Sequence, residues 1–164
     1  TNGGASWTNV AASQTYNYGI RFSQADDDLV MAAGMNRIYR STNGGVTWSQ
    51  VYTPFSGLSG IQWVIPDWSS ASNAFASSSG GFHSSSDGGV NWSQSNEGLL
   101  VGRVLAMEES QGWVFMNMLD MGLFKTPSTG SVNWEEVTTP LSCGDFCSIK
   151  SDGAGTLLAL EGSG

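Results

Sequence analysis

Ser41-Thr42-Asn43-Gly44-Gly45-Val46-Thr47-Trp48 and Ser85-Ser86-Asp87-Gly88-Gly89-Val90-Asn91-Trp92 are one eight-residue phrase written twice. A third copy, Thr1-Asn2-Gly3-Gly4-Ala5-Ser6-Trp7, lacks only its first residue. A degenerate fourth, Thr126-Pro127-Ser128-Thr129-Gly130-Ser131-Val132-Asn133-Trp134, carries one extra residue and no acid. The closing tryptophans Trp7, Trp48, Trp92 and Trp134 therefore recur every 41 to 44 residues. That is the length of one four-stranded propeller blade. The period predicts an all-β chain of about four blades, each too thin to have a core of its own.

The phrase has a local logic. Asn2, Asn43 or Asp87 can accept hydrogen bonds from backbone N–H groups further along, and the glycines that follow, Gly4, Gly45 and Gly89 among them, supply the positive φ of a tight turn. The indole then opens the next strand. A tryptophan buries roughly 150–250 Å², so each one is expected to weld its sheet to a neighbour, and truncating Trp48 or Trp92 is expected to cost about 3–5 kcal/mol.

Aligned on the tryptophans, every unit shows the same succession of apolar runs. First strands are expected at Tyr18–Phe22, Gly60–Val64, Gly102–Ala106 and Asp145–Ile149, lining a central channel. Second strands follow at Asp28–Ala33, Asn73–Ser78, Gly112–Met118 and Gly155–Leu160. Third strands at Arg37–Arg40, Gly81–His83 and Gly122–Lys125 run into a phrase, and fourth strands begin at the four tryptophans.

The phrase resembles the Asp-box, or bacterial neuraminidase repeat, Ser/Thr-x-Asp-x-Gly-x-x-Trp. On that resemblance Asn2, Gly4, Trp7, Ser41, Asn43, Gly45, Trp48, Ser85, Asp87, Gly89, Trp92 and Trp134 are structural positions, forming the turn between the third and fourth strands of a blade. Propellers of this family generally close with more blades than 164 residues provide. The chain is thus expected to be a segment of a longer propeller, in units of about 1–10, 11–51, 52–95, 96–137 and 138–164. The open first and last units imply either further blades of the same chain or a partner chain that completes them.

Six Lys/Arg against 14 Asp/Glu give a net charge of −8, with no basic stripe for nucleic acid. Anionic membrane surfaces are disfavoured on the same ground, and no apolar run reaches the roughly 20 residues of a membrane span. Richness in Ser, Gly and Trp with little Lys points to an extracellular, periplasmic or organelle-lumenal setting; a targeting segment would lie upstream of Thr1. Cys143 and Cys147 could pair as a local disulfide there or stand reduced near an inner strand. With His83 as the only histidine, no metal site is expected, and no cofactor is implied. The Asp26-Asp27-Asp28 run reads as a solvated turn, and Met107, Met116, Met118 and Met121 as core filling.

In propellers of the resembled kind, ligands sit on the edge formed by the connections from strand 4 to strand 1 and from strand 2 to strand 3. Candidates for that edge are Tyr16, Tyr18, Arg21, Arg37, Tyr52, Trp68 and Arg103. Sialidases need three arginines, a tyrosine nucleophile and an acid; the Arg-Ile-Pro phrase of the first arginine is absent. A xyloglucanase needs two opposed carboxylates, for which Asp120 and Asp145 are the candidates, with Trp63, Trp68 and Trp113 as sugar platforms. Sortilin-type receptors and photosystem assembly factors use the same architecture to hold proteins. The expectation is a non-catalytic binding or assembly module for a protein or glycan partner, with a glycoside hydrolase as the alternative.

Overall fold

The computed structural model describes residues 4–7, 17–34, 36–52, 60–99, 102–137, 147–152 and 154–161. These residues are all strand, turn and loop. The first sheet is β1 (Asn17–Phe22), β2 (Leu29–Gly34), β3 (Arg37–Thr42) and β4 (Ser49–Tyr52). The second is β5 (Ile61–Pro66), β6 (Ala74–Ser78), β7 (Gly81–Ser85) and β8 (Ser93–Gln94). The third is β9 (Val104–Ser110), β10 (Trp113–Met118), β11 (Gly122–Pro127) and β12 (Glu135–Glu136). The last described sheet has two strands, β13 (Cys147–Ser151) and β14 (Leu157–Glu161).

Each sheet is an antiparallel meander in chain order. The first strands of successive sheets touch, β1 with β5, β5 with β9 and β9 with β13, so they form the inner layer. The strands fall where the aligned repeats place them, with the fourth strands starting one residue after Trp48, Trp92 and Trp134. The one large difference is β9, which runs on to Ser110 and so carries Glu108 and Glu109 inside a strand.

The core lies between sheets. Leu29, Met31 and Ile38 of the first sheet meet Ile61, Val64 and Ala76 of the second. Phe75 and Phe82 of the second meet Met107, Met116 and Met118 of the third, with Met121 against them. Ala106 and Leu123 of the third meet Ile149 of the last. Apolar burial at about 25 cal/mol per Å² therefore stabilises pairs of neighbouring sheets rather than any sheet alone. A buried polar pair, Ser78 Oγ and His83 Nε2 at 2.8 Å, sits in the second sheet. Burial holds the imidazole pKa below its ordinary value.

The tryptophans correct one expectation. Trp134 is buried, its ring edge-on to Phe82 at 4.8 Å, so it joins the third sheet to the second. Trp92 is half-buried against the cluster joining the second sheet to the first. Trp48 is half-buried outside the three core clusters, and Trp7 is 90% exposed, with its ring beside Gly4 of its own phrase. Each buried indole packs towards the preceding sheet, and no described sheet precedes the first.

Candidate functional site

Two edges of the sheets must be told apart. The backbone N–H of Gly44 donates to Asp28 O (3.0 Å), that of Gly88 to Ser72 O and that of Ser128 to Gly112 O (2.8 Å). These bonds tie each connection between strands 1 and 2 to the following 3–4 turn, so both lie on one edge, here the turn edge. On the opposite edge, Leu119 N donates to Arg103 O at 2.9 Å, and Gly60 N donates to Asn36 Oδ1 at 2.8 Å.

The two full phrases fold alike. Ser41 Oγ accepts from Gly45 N, and Ser85 Oγ from Gly89 N, both at 2.9 Å. Asn43 Oδ1 accepts from Thr47 N, and Asp87 Oδ1 from Asn91 N, both at 2.8 Å. The second atoms of the Asn and Asp differ, and the residue four on differs with them. Asn43 Nδ2 donates to Thr47 Oγ1 at 2.8 Å, whereas Asp87 Oδ2 accepts from Asn91 Nδ2 at 2.7 Å. Asn91 and Ser85 thereby hold the Asp87 carboxyl down to about 2, from an ordinary value of 3.8. Each indole closes its own turn, Trp48 Nε1 donating to Gly45 O at 2.9 Å and Trp92 Nε1 to Gly89 O at 3.0 Å.

The ligand candidates divide between the edges. Arg37, exposed at the β2–β3 hairpin, Arg103, exposed before β9, and Asp120, exposed in the β10–β11 hairpin at a φ of 61°, lie on the opposite edge. Arg21, next to last in β1, and Trp68, in the β5–β6 connection, lie instead at the turn edge. Tyr18 and Tyr52 contribute backbone to β1 and β4, and Cys147 to β13; their side chains lie outside the described residues. Asn2, Tyr16, Cys143 and Asp145 are also outside them.

At the turn edge the four described first strands, β1, β5, β9 and β13, meet around Trp68. Its backbone N–H donates to Glu109 Oε2 at 3.0 Å, and Glu109 Oε1 accepts from Gly112 N at 3.2 Å. Glu109 is buried, and burial first, then the neighbouring Asp67, pushes its carboxyl above its ordinary value. The two N–H donors pull the other way. Fully buried Asp67 closes the loop: its Oδ1 accepts from Ser69 N (2.8 Å) and its Oδ2 from Asn73 Nδ2 (3.2 Å). Asp67 N in turn donates to Asn73 O at 2.9 Å. The indole of Trp68 is left 43% exposed on a loop pinned at both ends.

Two clefts of about 250 Å³ each flank that indole. One is lined by Arg21, Phe22, Glu108 and Lys150, the other by Ser69, Ser110, Gln111 and Ser151. Lys150 Nζ is 2.9 Å from Glu108 Oε2, and Arg21 lies over the half-buried Trp63 ring at 5.5 Å, with no ion-pair partner among the described residues. Trp113, also half-buried, is covered by Lys125 Nζ at 4.4 Å. A larger cleft of about 410 Å³ separates the 85–92 turn from residues 127–132, but the Asp87 oxygens lining it are taken up by the turn itself.

Sequence reading missed Asp67, Glu108, Glu109 and Lys150. The signal was there: Trp68 and Glu109 are 41 residues apart, and Glu108 and Lys150 are 42 apart, which is one repeat.

Four consecutive antiparallel sheets with an inner layer of first strands make this a β-propeller fold. An ancestral GH74 enzyme superposes with a TM-score of 0.65 at 16% identity, covering 87% of this chain and 21% of that one. YCF48 from Cyanidioschyzon merolae superposes at 0.66 and 20% identity, covering 96% of this chain and 54% of that one. A YCF48 bound to D1 peptide does so at 0.56 and 16%, covering 84% and 44%. This chain thus spans from about a fifth to about half of those proteins, and at such identities the likeness shows the fold. No family model and no curated protein matches the chain. No helix among the described residues is long and apolar enough to cross a membrane.

Proposed function

We propose that the chain is an Asp-box propeller segment that works as a non-catalytic binding or assembly module, presenting its turn edge at Trp68 to a protein or glycan partner. The observation that carries this is an exposed indole between two clefts whose carboxylates already have partners. Glu109 is committed to two backbone N–H groups and Glu108 to Lys150, whereas glycoside hydrolysis needs one carboxyl free to protonate the leaving oxygen. A rigid edge with variable loops needs no catalytic set to bind. The YCF48 bound to D1 peptide is a propeller of related architecture that holds a protein segment, and the setting we propose is extracytoplasmic.

Further blades of a longer chain are part of this reading. Ile20 precedes Arg21 in β1, and since Arg21 faces Trp63 of the second sheet, Ile20 points away from it and is 50% exposed. Such a face suits another blade. The intact mass of the natural polypeptide tests this: a mass near 17.3 kDa would overturn the longer chain in favour of a separate partner.

The hydrolase alternative rests on Asp120 and Asp145. Incubation with xyloglucan is expected to release no reducing ends. Release that disappears in both Asp120→Asn and Asp145→Asn would overturn the non-catalytic reading.

A further inference from the structure

We propose that the cleft between the 85–92 turn and residues 127–132 receives an arginine side chain of a protein partner, with Asp87 as its counter-ion. The inference rests on the protein arm of the binding-module reading and adds a contact on the same edge, apart from Trp68.

The two lips of the cleft carry one phrase position in two states. Asp87 stands on the first lip, two residues after Ser85; Ser128 stands on the second, two residues after Thr126. The turn engages both Asp87 oxygens through neutral groups, Ser85, Asn91 and the N–H of Val90, so its hydrogen bonds are made while its charge is left. Those bonds hold the carboxyl down to about 2, and the charge therefore persists at any physiological pH. Asp87 forms no ion pair among the described residues, and no lysine or arginine lines the cleft. Arg40, close by, donates to Gly88 O at 2.7 Å and lies outside the lining. A cationic group is what the cleft lacks, and the net charge of −8 on the chain draws one in.

An exposed ion pair alone contributes little, so the rest of the lining decides. Ser128 is 6% exposed and its hydroxyl has no hydrogen-bond partner, so it gives up nothing by turning to a ligand. Ser86, Ser93 and Thr129 add hydroxyls, each with lone pairs that accept. Acceptors spread over both lips match the five donors of a planar guanidinium better than the compact charge of an ammonium. Phe75, Pro127 and Val132 supply apolar wall for the stem of the side chain. At about 410 Å³ the cleft falls within the roughly 300–1,000 Å³ of small-ligand pockets, enough for that side chain and its adjoining backbone.

The test is a heteronuclear NMR titration of the full chain at low salt with N-acetyl-arginine methylamide, beside its citrulline and lysine counterparts. Saturable shifts of the Asp87, Asn91 and Gly130 amides are expected with the arginine probe, at about millimolar affinity, and none with citrulline. Asp87→Asn, which keeps the acceptor atom of the turn, is expected to weaken binding about fivefold or more, and Ser128→Ala about two- to threefold. Should Asp87→Asn unfold, Ser128→Ala carries the test, because it removes a hydroxyl that bonds to nothing. Absence of shifts at these amides, equal binding of citrulline, or binding that the variants leave intact would each overturn the site. Equal binding of the lysine probe would overturn the choice of a guanidinium. Trp68→Ala is expected to leave the titration unchanged, which separates a failure here from a failure at Trp68; loss of binding in that variant would overturn the cleft as a contact of its own.

Discussion

The turn at 85–92 and the turn at 126–134 occupy equivalent places in neighbouring sheets and are held by opposite means. In the first, Ser85 and Asp87 satisfy the backbone N–H groups of Gly89, Val90 and Asn91, and the indole of Trp92 is only half-buried. In the second, Thr126 Oγ1 accepts a single bond from Asn133 N at 3.0 Å, and no acid is present. Trp134 makes up the difference. Its ring is 5% exposed, edge-on to Phe82, with its backbone N–H 3.4 Å from Glu97 O of the preceding sheet. The polished copy is thus closed by its own hydrogen bonds, and the degenerate copy by packing on its neighbour.

The sharpest way to break this contrast is to truncate the indoles. Trp134→Ala is expected to cost about 3–5 kcal/mol, whereas half-buried Trp92→Ala should cost about half as much, both read by chemical denaturation. Equal losses would mean that burial does not separate the two regions.

A smaller effect is expected at Gly89. Its φ of 85° disfavours any side chain, and a Cβ there would press on the end of Met31 in the first sheet. Gly89→Ala is therefore expected to lose about 1–3 kcal/mol. At Gly130 φ is 86° but a Cβ would meet nothing within 4 Å, so Gly130→Ala should lose the backbone part alone. A Gly130 variant less stable than the Gly89 variant would contradict the packing argument.

The smallest effect separates the turns by pH. Asp87 has its folded pKa lowered to about 2 from 3.8. A depressed carboxyl contributes stability above its unfolded value and loses it as pH falls through the folded one, so the loss runs from about pH 4 to pH 2. Asp87→Asn keeps the acceptor atom and is expected to flatten that part of the profile. An unchanged thermal-melt profile in that window would show that the acid adds nothing that Asn43 lacks.

Much of the fold was legible because the period is written in the sequence. Strand order, turn position and the meander follow from the spacing of the tryptophans and from the Gly pairs. Burial of each indole was not legible, since it depends on the sheet before it and not on the phrase: Trp7 and Trp134 close related phrases and differ from 90% to 5% exposed. The candidate site was half legible. Trp68 stood out as an exposed aromatic beside Pro66-Asp67, but its edge and its partner Glu109 did not, because β9 runs past its expected end. Superposing the repeats places Trp68, Glu109 and Ser151 near one register, and that is the rule by which neighbouring sheets touch at this edge.

In the proposed division of labour on one edge, the repeated turns hold the sheets and the Trp68 loop meets the partner. Chemical denaturation of Ser85→Ala beside Trp68→Ala tests it most directly. Ser85→Ala removes hydrogen bonds to Gly89 and Asp87 and is expected to cost about 1–2 kcal/mol, while Trp68→Ala should stay within about 0.5 kcal/mol of the parent. A neutral Ser85→Ala with a strongly destabilised Trp68→Ala would contradict the account, making Trp68 part of the core and the turn dispensable.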